Sequence, residues 1–542
     1  MNTRQATACR PYLFMNFFDS TLPEIQLVGA VQTPYNLSIA TARTCYSSQG
    51  IITPQEVSKD EKSRLLRDKI AVSTREAGHL TTRQHAHFVF ALSRISRSFI
   101  WEFLHSHPFY NSEQVSQRYV KVRGGNFTIP KFDPKDKHIY EQTLGLQMEA
   151  YEKLIRLLLP AVSSEYYRIF PNRNKEDRWQ KVIQKKAYEI ARYVLPIATH
   201  AYLYHTVSAL TLLRYWRAAQ REDASEELKY VVGRMVEEVL KIDPDFEKEL
   251  SHSERSEESQ RTLQRDPSPS AQDDRSQNDH AKEFAQTFDS ELRSGGVKFS
   301  RLIDYPKNTE QTLARAVRSV FAKNHYELSD EEAIDLVLNP ALNRSLGDTL
   351  NMMTLSDLSR ALCHVHFTFQ KKLSHTADSQ NQRHRMTPAS RPKLEFHYFG
   401  EPDVVYPKLI LHVAQAKKLF DDVVEQTVYS VNDLLKKGNS FEKVHYLLPN
   451  AWAVRFEESG DLMNWHHKWK LRTCYNAQEE IFYASVEELL QVEKEFPLLA
   501  RHIKAPCYLR KEAGITPYCP EGDRYCGVPV WKFPLEQYER LI

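Results

Sequence analysis

The sequence predicts an α+β protein built as two homologous domains in tandem, each with early strands and long late helices. Three observations carry that prediction. The chain has 542 residues, more than one ordinary hydrophobic core serves. Its middle, residues 251–282, is almost bare of large aliphatic side chains. Two sequence motifs also occur once on each side of that break, in the same order.

The first domain is placed at residues 1–250. It contains His85-Ala86-His87-Phe88-Val89-Phe90, whose alternation suits a strand with one buried face. A helical stretch then leads to Ala191-Arg192-Tyr193-Val194-Leu195-Pro196, and Ala209–Trp216 and Ala224–Leu228 follow as an amphipathic segment. Residues 251–282 read SHSERSEESQRTLQRDPSPSAQDDRSQNDHAK, with Leu263 the one large aliphatic residue. Such a stretch cannot bury enough apolar surface to offset its ordering entropy, so it reads as a disordered linker or an inserted repeat.

The second domain, 283–500, follows the same plan. It has His364-Val365-His366-Phe367-Thr368-Phe369, then Val444-His445-Tyr446-Leu447-Leu448-Pro449, then Asp461–Trp465 and Ala477–Ile481. From each proline to the alanine of the closing Ala-x-x-Glu is 28 residues in both halves, which points to duplication rather than coincidence. Residues 501–542 form a Cys-containing tail. His502, Cys507, Cys519 and Cys526 fall there at irregular spacing with no Cys-x-x-Cys pair, so ordinary thiols and no metal are expected.

Composition narrows the function. Lys and Arg number 73 against 70 Asp and Glu, a balance that argues against a polybasic nucleic-acid binder. No apolar run approaches the roughly 18 residues of a membrane span. The opening residues make a poor secretory signal, because Arg10 and Asp19 break the apolar pieces. Seven thinly spread cysteines do not form a disulfide framework. A cytoplasmic protein without membrane or nucleic-acid partner is the expectation.

The chemistry concentrates at Gln380-Asn381-Gln382-Arg383-His384-Arg385, which begins its Arg-His-Arg 14 residues after Phe369. Two guanidinium groups flanking an imidazole suit phosphate, carboxylate or an electron-rich ring, although alone such a triplet is a solvated surface more often than a site. At the same distance from Phe90 the first half has Leu104-His105-Ser106, without arginine. It continues into Asn111-Ser112-Glu113-Gln114-Val115-Ser116-Gln117-Arg118-Tyr119, a loop rich in donors for a phosphate, or else a turn into a strand at Tyr119–Val122.

These motifs together resemble the flavin-dependent thymidylate synthases, whose signature begins Arg-His-Arg and whose nucleotide loop reads N-E-x-S-x-R-Y. The resemblance implies that Arg383, His384 and Arg385 hold FAD, joined on the cofactor side by His79, Thr81, Glu113, Asp461 and His467. It implies that Gln380, Ser116, Gln117, Arg118 and Arg192 bind dUMP. Arg472, within Leu471-Arg472-Thr473-Cys474-Tyr475-Asn476-Ala477-Gln478, matches the arginine that contacts the uracil and is the catalytic candidate.

Each half lacks what the other keeps. The second half has His445 where the first has Arg192, and the first has Ala219 where the second has Arg472. The family's flavin-contacting asparagines and arginine on the late helix are replaced by Asp461, Met463 and His467, and in the first half by Ser208, Leu210 and Arg214. The implied reaction is reductive methylation of dUMP to dTMP at one composite site, with methylenetetrahydrofolate and NADPH as co-substrates and a tetramer-like homodimer. The alternatives are a degenerate homologue that binds flavin or nucleotide without methylating, and an interaction module using the Arg-His-Arg patch.

Overall fold

A computed structural model describes residues 17–250 and 274–542. The first 16 residues and 251–273, most of the expected linker, lie outside the described residues. The rest of that span opens a helix.

The first half comprises β1 (Glu24–Ala30), α1 (Pro34–Thr44), α2 (Glu61–Glu76), β2 (His87–Ser96), α3 (Arg97–His105), β3 (Tyr110–Gln114), α4 (Pro134–Ile169), α5 (Arg178–Ala191), β4 (His200–Ser208), α6 (Ala209–Ala219) and α7 (Glu226–Ile242). The second comprises α8 (Asp274–Ser294), β5 (Ser300–Asp304), α9 (Thr309–Phe321), α10 (Asp330–Leu338), β6 (His366–Ser374), α11 (His375–Asn381), β7 (Ala389–Ser390), α12 (Ala414–Lys436), β8 (Ala453–Asp461), α13 (Leu462–Arg472) and α14 (Glu479–Glu495). Each half folds one four-stranded antiparallel sheet, in the orders β1-β2-β4-β3 and β5-β6-β8-β7. The repeat seen in the motifs is therefore a repeat of topology.

The alternating aromatics do what their spacing demands. Phe88 and Phe90 of β2, and Phe367 and Phe369 of β6, are wholly buried, while His87 and His366 face solvent. Against the second pair α13 lays Trp465 and Trp469, one helical turn apart and stacked at 5.2 Å between ring centroids. Burial of each such ring contributes about 2–3 kcal/mol. Strands β4 and β8, which the sequence reading did not identify, pair with the centre of each sheet.

Each central strand ends in a serine that caps the next helix. Ser96 Oγ accepts from Phe99 N, and Ser374 Oγ accepts from Ala377 N. Both serines donate through N–H and Oγ to a buried carboxylate, Ser96 to Glu227 and Ser374 to Glu480. Those carboxylates also tie the halves together. Tyr446 Oη donates to Glu227 at 2.9 Å, and Tyr193 Oη to Glu480 at 2.8 Å.

The two Leu-Pro turns meet face to face. Ile197 N donates to Leu448 O at 2.9 Å and Asn450 N to Leu195 O at 2.7 Å, a reciprocal pair across Pro196 and Pro449. Beside them α4 and α12 bury Leu154, Leu158, Phe420 and Val423 in one apolar cluster, which also takes the terminal Ile542. Among the described residues no helix is long and apolar enough to cross a membrane.

Candidate active site

The turn after α11 aims the Arg-His-Arg triplet. Arg383 N donates to Gln380 O and His384 N to Asn381 O, so the chain leaves the helix in a tight bend with alternate side chains facing opposite ways. Arg383 and Arg385 project toward β3 of the first sheet. Arg383 pairs with Glu113 at 2.8 Å, and Arg385 donates to Pro108 O at 3.2 Å and lies over the Tyr110 ring at 4.9 Å. The segment carrying Asn111 and Glu113, expected as loop, is thus strand β3, and no strand forms at Tyr119–Val122.

His384 turns inward and its Nε2 accepts from Arg472 Nε at 2.8 Å. Burial, then the Arg472 charge, holds its pKa well below the usual imidazole value, so the ring is neutral. Arg472, at the end of α13, also donates to Gln380 O at 3.2 Å. Gln380 thereby contributes through its carbonyl. Burial, with Arg383 and Arg118 nearby, pushes the Arg472 pKa down to about 10. Behind His384, Lys371 and Lys468 are buried and bridged by Glu458 at 2.7 and 2.5 Å, and Lys371 also pairs with Glu488 at 2.5 Å.

The first half supplies the other arginines. Arg118 follows Ser116, whose Oγ accepts from Arg118 N, and reaches Glu189 of α5 at 2.8 Å and the carbonyl of Asn476 at 2.7 Å. Gln117 is buried and accepts from Asn450 Nδ2 at 3.2 Å. Arg192 is only 3% exposed, and its Nε and one terminal nitrogen have no partner. Burial lowers its pKa despite Glu189 alongside.

Sequence reading missed two members of this group. Arg97, the first residue after the Ser96 cap, bonds Gln114 Oε1 at 2.9 Å and Val115 O at 3.2 Å, while its Nε stays unpaired. Burial, then the neighbouring Arg192, pushes it down to about 9. Its counterpart after Ser374 is His375, so a comparison at the caps would have flagged it. Glu189 is the second. Among the described residues it is the one carboxylate bonded to Arg97, Arg118 or Arg192.

Other predicted residues stand differently. His467 adjoins His384, with ring centroids 5.9 Å apart. Asp461 caps α13 by accepting from Asn464 N at 2.9 Å, and has no bond to the cluster. His79 and Thr81 are exposed and also have none. His502 bonds Asp335 at 3.1 Å, apart from the tail cysteines. Among the described residues no three His, Cys, Asp or Glu side chains are placed to hold a metal ion. The cleft of about 740 Å³ beside Phe284, Phe288, Arg391 and Phe456 contains none of the predicted residues.

The repeat-related position in the first half is shifted by one residue from the simple count. A bulge between Ser93 and Ile95, with Arg94 at φ 56°, lengthens β2, so His105–His107 matches the triplet. It still lacks arginine. Opposite His105, the buried Asp378 is closed off by Arg391, both bonds 2.9 Å, and by Trp101 Nε1 at 2.8 Å.

A family model matches this chain along most of its length, and known proteins each match a smaller part of it. The family model described as "Thymidylate synthase complementing protein" matches twice, at residues 26–245 and 301–498. The flavin-dependent thymidylate synthase of Clostridium tetani is 28% identical over 226 residues, covering 41% of this chain and 84% of that protein. That of Corynebacterium glutamicum is 27% identical over 214 residues, 37% of this chain and 83% of its own. That of Nitratidesulfovibrio vulgaris is 29% identical over 184 residues, 32% of this chain and 71% of its own.

Proposed function

The chain belongs to the family of thymidylate synthase complementing proteins, the flavin-dependent thymidylate synthases, and on that premise we propose that it methylates dUMP reductively to dTMP. Methylenetetrahydrofolate is the carbon donor, and NADPH supplies reducing equivalents through FAD. One observation chiefly supports the reading. Of Arg97, Arg118 and Arg192 only Arg118 is bonded to a carboxylate among the described residues, that of Glu189, and Arg97 and Arg192 keep buried N–H groups without partners. Buried donors are normally satisfied, so an unpaired set on like-charged groups is suited to an incoming anion.

In this reading Arg192 and Arg118 bind the nucleotide phosphate, with Ser116 at the loop and Arg97 steadying it through Gln114 and Val115. Arg472 stabilises negative charge on the uracil ring; His384, neutral and accepting at Nε2, keeps its guanidinium oriented. Arg383 and Arg385 fit the cofactor. Arg383 is half exposed and, among the described residues, paired only with the exposed Glu113, so an anionic group displaces that partner at little cost. Bound flavin supplies the hydride chemistry, and the protein supplies binding, orientation and charge. The site is composite: triplet and Arg472 come from the second half, the Ser116–Arg118 loop and Arg192 from the first.

The test is the absorption spectrum of the purified full chain with FAD, with and without dUMP, followed by assay of dTMP. Arg472→Ala should abolish dTMP formation while flavin content is kept. A colourless protein that takes up no FAD would sink the reading. Asp461, engaged as a helix cap, favours the second reading of a homologue that binds without methylating; uptake of flavin and dUMP with no dTMP would select it.

A further inference from the structure

Residues 539–542 fasten a short link on which the nucleotide side depends. That link, residues 473–478, joins α13 to α14. Within it the Asn476 carbonyl accepts from Arg118 Nη2 at 2.7 Å. Arg540 Nη1 donates to the carbonyls on either side, those of Tyr475 and Ala477. The backbone at Arg540 is held in turn. Glu539 N donates to Tyr475 Oη at 2.9 Å, Arg540 N donates to Tyr483 Oη at 2.9 Å, and that hydroxyl donates to Arg540 O.

Arg540 is 8% exposed, and its Nε has no partner. It lines one small cavity with Lys186, Glu189 and Ile190 of α5 and with Ile542, so the tail reaches the first half. Glu189 is the other acceptor that orients Arg118, from whose Nε it accepts at 2.8 Å. Against the burial that raises it, Arg118, then Arg192 and Arg540, hold the Glu189 carboxyl below the usual carboxylate range. Both acceptors of the Arg118 guanidinium therefore stand next to Arg540, one through the link and one across the cavity.

A guanidinium on two backbone carbonyls makes charge-assisted hydrogen bonds and fixes the residue between them. A binding group fixed before its ligand arrives avoids the entropy loss of being ordered by it. We propose that Arg540 is a positioning residue of the nucleotide site, aiming the Arg118 guanidinium at the dUMP phosphate by holding the chain on both sides of Asn476, an assignment that rests on the reading of Arg118 as a dUMP ligand. A tail that merely stabilised the fold would affect binding whether or not Arg118 were present. A positioning residue acts only while Arg118 is there to be aimed.

The test is calorimetric titration of the FAD-loaded full chain with dUMP, arranged as a double-mutant cycle. Arg540→Met keeps most of the side-chain volume and removes both donations. Its Kd for dUMP should rise roughly 10-fold with flavin content unchanged. Arg540→Lys, whose ammonium still donates, should stay within about 3-fold of the unmodified chain. In an Arg118→Met background, Arg540→Met should add less than about 2-fold. Should Arg540→Met not fold, Tyr483→Phe, which frees the Arg540 backbone, carries the same cycle with a loss of about 3-fold. Unchanged affinity in these variants, an equal loss when Arg118 is absent, or flavin lost together with dUMP overturns the proposal. A chain that binds no dUMP even unmodified defeats the methylation reading and the proposal with it; the other outcomes defeat the proposal alone.

Discussion

Replacing Arg192 by methionine separates a functional arginine from a structural one. Arg192 is 3% exposed and two of its guanidinium nitrogens are unpaired. Each buried unmet donor costs about 1–3 kcal/mol, and a charge-assisted hydrogen bond to a bound anion contributes about 1.5–3 kcal/mol. Methionine keeps most of the aliphatic volume and removes the unmet donors. It strands no carboxylate, because Glu189 retains Arg118 at 2.8 Å. Arg192→Met should therefore leave the free protein as stable as before, or more stable by about 1–3 kcal/mol. Affinity for dUMP should fall roughly 10- to 150-fold, the equivalent of one such bond at about 1.4 kcal/mol per decade. Urea unfolding followed by tryptophan fluorescence reads the first quantity, and calorimetric titration with dUMP the second. A loss of more than about 2 kcal/mol of stability with dUMP affinity intact would refute the reasoning and make Arg192 a packing residue.

Two further outcomes follow from the buried groups. Burial raises the Glu227 pKa from 4.5 to about 7. A carboxyl whose folded pKa is raised adds stability while it stays protonated below its unfolded value, and that stability is lost as pH rises through the folded one. Between pH 4.5 and 7 the native protein should lose about 3 kcal/mol that Glu227→Gln does not lose; parallel stability profiles for the two proteins would contradict this. Trp469→Ala empties the ring that stacks on Trp465 and frees Glu488 from its 2.7 Å hydrogen bond. It should cost about 3–5 kcal/mol by urea unfolding, and a change under 1 kcal/mol would show that the stack carries little of the core.

Patterns that depend on neighbours in the chain were legible before any coordinates. The Phe88/Phe90 and Phe367/Phe369 alternation, the paired Leu-Pro turns and the 28-residue spacing all follow from local geometry, so they announce the tandem α+β plan directly. Strands β4 and β8 escaped notice because their mixed polar sequences, HAYLYHTVS and AVRFEESGD, become strands by pairing inside a sheet. Arg97 escaped because nothing beside it marks it; its importance lies in burial against Arg192. The one-residue bulge at Arg94 moved the comparison from Leu104–Ser106 to His105–His107, since an inserted residue shifts every later count.

The sequence by itself determined the duplication, the family and the residue types at the site. It did so because periodicity and motif spacing are properties of a chain read locally. Only the tertiary structure decided which side chains meet. Glu113 reaches Arg383 across 270 positions, and Arg118 reaches the Asn476 carbonyl across 358. The four tail cysteines share one cavity while His502 sits elsewhere with Asp335. Such encounters depend on how two sheets dock through Pro196 and Pro449, and that docking is set by burial of apolar surface, which carries no local signature.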